Sequence, residues 1–284
     1  MSAARVPVGA DVDEVARIMS AHWPEPVDPD HVRRAWSAPG FERERDARIE
    51  PGAYAQVDAI DTDRQWINLR GHPSAVLVDW AEHRARERGG RILSGSWTTN
   101  EVVLNELRSR AFRTVRHSFR MSIGLGEDVP APVPPDGMSL RTFSDGDEHA
   151  FYEAQLDSFA DTWEPVDTPY DEWAHWLLDT PSFDPELWLL AEAGTDVAGF
   201  AICKVHPGDP ELGWVQLLGV RSAWRGRGLG RALLLTSFEA LRARGLRRAG
   251  LGVDAESPTG ATRLYESVGM RVVGRFEILE KDAA

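Results

Sequence analysis

Val220-Arg221-Ser222-Ala223-Trp224-Arg225-Gly226-Arg227-Gly228-Leu229-Gly230-Arg231 is the stretch on which the reading of this chain turns. An apolar run, residues 213–220, leads into it. Behind it Leu229, Leu233, Leu234, Phe238 and Leu241 recur at helical spacing. The stretch is therefore a strand-to-helix turn. Its glycines let the backbone bend sharply and approach a ligand without Cβ atoms in the way. The unbonded N–H groups of the first helical turn favour an anion. Arg225, Arg227 and Arg231 add positive charge. This is the pattern of a phosphate or pyrophosphate cradle. A dinucleotide fingerprint is excluded, because Arg231 stands where its third glycine belongs. A P-loop is excluded too, since no Gly-Lys-Ser/Thr follows.

Working outward, residues 249–253 read as the next strand. Ser257 as N-cap and Pro258 at the first position open a helix to residue 268. Gly269 supplies a left-handed end, and residues 271–278 make a final strand. Upstream, residues 138–143 read as an edge strand and residues 148–159 and 170–178 as helices. Residues 187–192 and 197–205 form a strand pair turning at Gly194-Thr195-Asp196. Strands and short helices followed by β-α-β-α-β give the fold class α/β (α+β).

A second motif stands about 35 residues beyond the first, at a separation of helix, strand and helix start: Ala261-Thr262-Arg263-Leu264-Tyr265-Glu266-Ser267-Val268-Gly269-Met270. Arg225-x-x-Gly228-x-Gly230 resembles the acetyl-CoA signature Q/R-x-x-G-x-G/A of the GNAT superfamily of acyl-CoA-dependent N-acyltransferases. The second motif is similar to that family's A-x-x-L-Y-x-x-x-G-F. The resemblance implies a mixed central sheet flanked by helices, with acetyl-CoA as co-substrate. It places the pyrophosphate on Arg225, Gly226, Arg227, Gly228, Leu229, Gly230 and Arg231, with Ser257 nearby. Leu218, Gly219 and Val220 would offer backbone to the pantetheine arm in a splay between strands. Tyr265 would point at the coenzyme sulfur. A phenol of pKa about 10 can donate a proton or hydrogen bond to a thiolate of pKa about 8.5. Glu211 and Asp254 are candidates for taking the proton of an ammonium acceptor. One departure is that many members carry asparagine before this helix, where this chain has Glu256-Ser257-Pro258.

The first half echoes the second weakly. Residues 11–20, 74–87 and 100–110 read as helices, and residues 65–69, 91–94 and 112–122 as strands. Arg86-Glu87-Arg88-Gly89 resembles Ala243-Arg244-Gly245, and Ala111-Phe112-Arg113 resembles Gly269-Met270-Arg271, at nearly the same offset. Transferred by those offsets, Arg225, Gly228 and Gly230 fall on Leu69, His72 and Ser74, and Tyr265 falls on Leu107. Pro73 has no N–H, so the cradle is lost. Pro130, Pro132, Pro134 and Pro135 mark an extended linker. The expected organisation is a degenerate, non-catalytic GNAT-like domain at 1–127, a linker at 128–137 and a catalytic domain at 138–284. That tandem layout resembles mycothiol-synthase-type proteins.

Composition bounds the rest. The chain has 284 residues, 42% hydrophobic and 27% charged, which is globular. No apolar run approaches the ~20 residues of a membrane span, and no signal peptide is apparent, so a cytoplasmic protein is expected. Cys203 is the single cysteine, and no metal site is expected. The net charge of −13 argues against nucleic-acid and anionic-membrane partners. Residues 143–203 carry 15 acids and no lysine or arginine, among them Asp145, Asp157, Asp161, Glu164 and Asp167, together with Trp163, Trp173, Trp176 and Trp188. Such a stretch either steers a cationic amine or is a solvated acidic face over a tryptophan-rich core. The leading expectation is acetyl transfer to a primary amine of a small, cationic metabolite by a monomer or homodimer. A non-catalytic acyl-CoA sensor and a peptide or protein N-acetyltransferase are the alternatives.

Overall fold

The computed structural model describes residues 4–282 except 24, 25, 127, 128, 164, 166 and 167. Glu127 and Asp128 at the expected linker, and Glu164 and Asp167 of the acidic stretch, thus lie outside the described residues. The chain forms two compact units. Unit 1 is Met1–Ser118 with Gly274–Ala284, and unit 2 is Phe119–Val273. The prolines at 130–135 fall within unit 2.

In chain order unit 1 holds α1 (Val12–Ser20), α2 (Pro29–Trp36), α3 (Arg43–Asp46), β1 (Ala47–Glu50), β2 (Ala53–Ala59), β3 (Arg64–Gly71), α4 (Ala75–Arg88), β4 (Arg91–Trp97), α5 (Glu101–Ser109) and the start of β5 (Arg113–Gly124). Unit 2 holds β6 (Ser139–Thr142), α6 (Glu148–Phe159), α7 (Tyr170–Leu177), β7 (Trp188–Ala193), β8 (Asp196–His206), β9 (Asp209–Val220), α8 (Leu229–Ala243), β10 (Arg248–Asp254) and α9 (Ala261–Ser267). The last strand, β11 (Arg271–Asp282), begins in unit 2 and ends in unit 1.

Each unit has a mixed sheet. In unit 1 the order is β1-β2-β3-β4-β11, and in unit 2 it is β5-β10-β9-β8-β7-β6. β3 pairs with β4 and β9 with β10 in parallel, joined by α4 and α8 respectively. That is the crossover connection a parallel pair requires. α8 forms because its apolar residues share one stripe. Leu229, Leu233, Leu234, Phe238 and Leu241 are buried, each worth about 1.5–3 kcal/mol on leaving water.

The expected elements of unit 2 are present, with one correction. α9 starts at Ala261 rather than at Pro258, and Ser257 does not cap it. Residues 257–260 close a separate turn, in which Gly260 N–H donates to Ser257 O at 3.1 Å. The N-cap is Gly260, whose φ of 72° only glycine adopts readily. The helix therefore begins three residues later. In unit 1, α2, α3, β1 and β2 lie outside the expected elements. Polar Gln56 and Asp58 alternate with small Ala53 and Ala55 along β2, so the strand lacks the bulky apolar period that marks one.

Candidate active site

Pairing between β9 and β10 ends at Val215 with Leu251 among the described residues, although β9 continues to Val220 and β10 to Asp254. A bulge helps to open them. Ile202 on β8 faces Leu217 and Cys203 faces Val215, which leaves Gln216 as an extra residue on β9. An extra residue bends the strand that carries it. A cavity of about 610 Å³ fills the opening, lined by 215–220 on one side and 251–254 on the other.

The glycine loop forms one end of this cavity. Gly226 and Gly228 have φ of 75° and 84°, and nothing lies within 4 Å of where either Cβ would stand. Gly228 is the N-cap of α8. The first α8 bonds run from Arg231 and Ala232 N–H to Gly228 O. Among the described residues, the N–H groups of residues 226–230 have no acceptor. The cradle expected from sequence is thus a set of uncommitted donors over open space, suited to an anion.

The three loop arginines do different things. Arg225 is paired with Asp161 and donates to Ser158 O at 2.9 Å and Val220 O at 3.1 Å. It ties the loop to α6 and β9. Arg227 stacks over the Trp224 ring at 4.9 Å and does not line the cavity. Arg231 lines the cavity and makes no ion pair among the described residues.

Tyr265 lies on α9 against the same cavity and is 7% exposed. Its hydroxyl has no hydrogen-bond partner among the described residues. Burial pushes its pKa up to about 12, so it is protonated throughout the neutral range. Leu218, Gly219, Val220, Leu229, Gly230, Asp254 and Ser257 also line the cavity. Glu211 does not. It stands at the far end of β9, where its carboxylate faces Arg247 at 3.5 Å.

The acidic stretch is less charged than its composition suggests. Asp147 and Glu192 pair with Arg141, Asp157 with Arg221, Asp161 with Arg225, and Asp184 and Glu186 with Arg244. These bases come from outside residues 143–203, so counting along the chain misses them. Trp173 and Trp188 are 2% and 1% exposed and sit in a core with Phe151 and Phe200. Neither is a wall for a cation.

Unit 1 presents a different end to its crossover helix. Ser74 caps α4, and its own N–H and Oγ donate to the Glu50 carboxylate at 2.6 and 2.8 Å. Leu107 is fully buried in the core. Where unit 2 has its glycine loop before the crossover helix, unit 1 has proline and a carboxylate.

Two units that share a three-strand run, β2-β3-β4 and β8-β9-β10, antiparallel and then parallel, the second opened beneath a glycine loop, define the class as a tandem acyltransferase. Residues 148–270 match the acetyltransferase (GNAT) family. The mycothiol acetyltransferase of Thermobispora bispora is 35% identical over 221 residues, covering 69% of this chain and 72% of the relative. That of Catenulispora acidiphila is 36% identical over 229 residues, covering 78% and 70%. A GCN5-related N-acetyltransferase from Sphaerobacter thermophilus superposes with a TM-score of 0.79 at 30% identity, over 99% of this chain and 95% of that one. A tandem GNAT protein from the clavulanic acid pathway shares the fold, with a TM-score of 0.72 at 12% identity over 99% and 97%. The chain belongs to the GNAT family and is an acetyltransferase, of a family that takes its acetyl group from acetyl-CoA.

Proposed function

We propose that unit 2 binds acetyl-CoA in the β9–β10 opening and transfers its acetyl group to a primary amine of a small metabolite. The observation that carries this reading is the convergence of the donor loop, the splayed strands and buried Tyr265 on one cavity. Acetyl-CoA supplies a thioester already activated toward an amine. Residues 226–230 offer backbone donors to its pyrophosphate, and Arg231 adds a cation beside them. Backbone groups at 216–220 are free of β10 and available to an extended amide-bearing arm. Tyr265, protonated and without a competing partner, donates toward the leaving sulfur as general acid. Of the two candidate carboxylates, Asp254 lines the cavity, and we assign it the ammonium proton. Glu211, beside Arg247 at the other end of β9, is not assigned this role.

The relatives' names support an acceptor of the mycothiol type. Glu148, Glu153, Asp171 and Glu172 on α6 and α7 have no ion pair among the described residues, which favours a cationic amine over an anionic one. Unit 1 is assigned no acetyl-CoA, because Pro73 and Glu50 stand at its α4 terminus. Calorimetry with acetyl-CoA should return one site per chain. A coupled assay should show coenzyme A release with deacetylated mycothiol or spermidine, and little with acidic amino acids. Two sites, or preference for acidic amino acids, would refute the respective parts.

A further inference from the structure

The bulge on β9 decides which way one side chain of the cavity points. Val215, with Cys203 opposite it, belongs to the core under α8 beside Leu234 and Phe238. Leu218 packs against that core as well. Leu217, with Ile202 opposite it, packs instead on the core under α6 that holds Phe151 and Phe200. Regular alternation puts one residue between two that share a face. Here two stand between Val215 and Leu218, and the extra one is Gln216. A bulge re-aims side chains in this way, so Gln216 joins Leu217 on the α6 side. Gly219 shares that face, since a Cβ there would stand 2.8 Å from Ser158 of α6. Tyr265 is on the other side, in the core under α8 with Val215. The two residues line one cavity from opposite faces of the opened sheet.

Gln216 is half-buried and lines the cavity, within reach of a molecule held there. Its carboxamide makes no hydrogen bond among the described residues. The other polar side chains that residues 158–162 bring to the cavity are occupied or shielded. Asp161 pairs with Arg225, Thr162 Oγ1 donates to Phe159 O at 2.7 Å, and Ser158 Oγ is closed off from solvent. A carboxamide offers an acceptor oxygen and two N–H donors. It titrates no proton, so it can hold an amine but cannot deprotonate one.

We propose that Gln216 orients the acceptor and selects for a primary amine: its Oε1 accepts a hydrogen bond from the amine N–H and aims the nitrogen lone pair at the thioester carbon. This assignment rests on the reading of unit 2 as the acetyl-CoA site. A primary ammonium that has given up one proton keeps two N–H groups, so one can be held while the lone pair stays free. Tyr265 serves the leaving sulfur from the α8 side, and the α6 side is left to the incoming nitrogen. No proton is transferred at Gln216. Its contribution is alignment of the reacting atoms.

The test compares Gln216→Leu, Gln216→Asn and Gln216→Glu in the full chain. Calorimetry reads acetyl-CoA binding, and coenzyme A release is followed with spermidine and with deacetylated mycothiol. Gln216→Leu removes the acceptor oxygen and should lower kcat/KM for the amine about tenfold, the loss of one well-placed hydrogen bond. The acetyl-CoA Kd should stay within about twofold, because the variant touches the acceptor alone. Gln216→Glu keeps an oxygen at the same reach and should hold kcat/KM within about threefold of the wild type. Gln216→Asn keeps the amide at a shorter reach and should fall as Gln216→Leu does. Should Gln216→Leu fail to fold, Gln216→Asn against Gln216→Glu carries the comparison. Wild-type rates in Gln216→Leu and Gln216→Asn, or a loss confined to acetyl-CoA affinity, would overturn the assignment and leave the reading of unit 2 standing. A wild-type chain that binds no acetyl-CoA would overturn both. Binding with no release from either amine would overturn the amine acceptor and the role of Gln216 with it.

Discussion

At the scale of the residue, two side chains in the candidate site separate charge from position. Tyr265 is removed from water, with its pKa raised to about 12, so its proton is retained well past neutrality. Tyr265→Phe keeps the ring and loses the donor. Turnover should fall about 10²–10⁴-fold, with acetyl-CoA affinity within about threefold, read by steady-state kinetics and calorimetry. In the wild type, loss of the phenolic proton should contribute no falling limb to kcat below about pH 10. Arg231 and Arg225 make the second contrast. Arg231 faces the cavity without an ion pair among the described residues, whereas Arg225 is held by Asp161. Arg231→Ala should raise the acetyl-CoA Kd about tenfold without lowering Tm. Arg225→Ala should lower both affinity and Tm, because the loop loses its ties to α6. Thermal melts beside calorimetry distinguish the two. The motif marks these arginines alike. Contacts with α6, above all with Asp161, 64 residues away in sequence, tell them apart.

At the scale of the element, helix starts show how far local chemistry can be read. α8 begins where its glycines and apolar stripe place it. α9 does not, because a turn ending at left-handed Gly260 competes with Ser257 and Pro258 for the same residues. α1 depends on an acidic residue that composition does not single out. Asp11 accepts from both Arg5 guanidinium nitrogens at 2.7 Å and from Val8 N–H at 2.7 Å. The Arg5 hydrogen bonds, above all, hold its pKa at about 2 against an ordinary 3.8. A carboxylate with a depressed folded pKa stabilises fully above its unfolded value and loses that contribution as pH falls through the folded one. Asp11→Asn should therefore lower Tm at pH 7. The difference should shrink between pH 4 and 2 and vanish below, as followed by circular dichroism melts.

At the scale of the whole molecule, the end of the chain belongs to its beginning. Phe276 to Asp282 pair with β4 in antiparallel register, and Leu279 is fully buried in the unit 1 core. Lys281 and Glu280 bond to Glu82 and Arg91. Removing residues 274–284 should therefore melt unit 1, although the deletion is far from it in sequence. Hydrogen exchange should show protection lost in β3, β4 and α4. Full protection there after truncation would contradict the pairing.

Local element order, the left-handed glycines before α8, the tyrosine motif and the missing N–H of Pro73 were legible in the sequence by itself. Each rests on neighbours within one or two turns, where backbone φ, N–H availability and apolar period act directly. Tertiary structure alone decided the rest: which carboxylates meet arginines, which arginine faces the cavity, that Glu211 stands apart and that β11 ends in unit 1. Those outcomes are set by contacts between residues distant along the chain. An ion pair or a strand register depends on separation in space, which residue order does not encode locally.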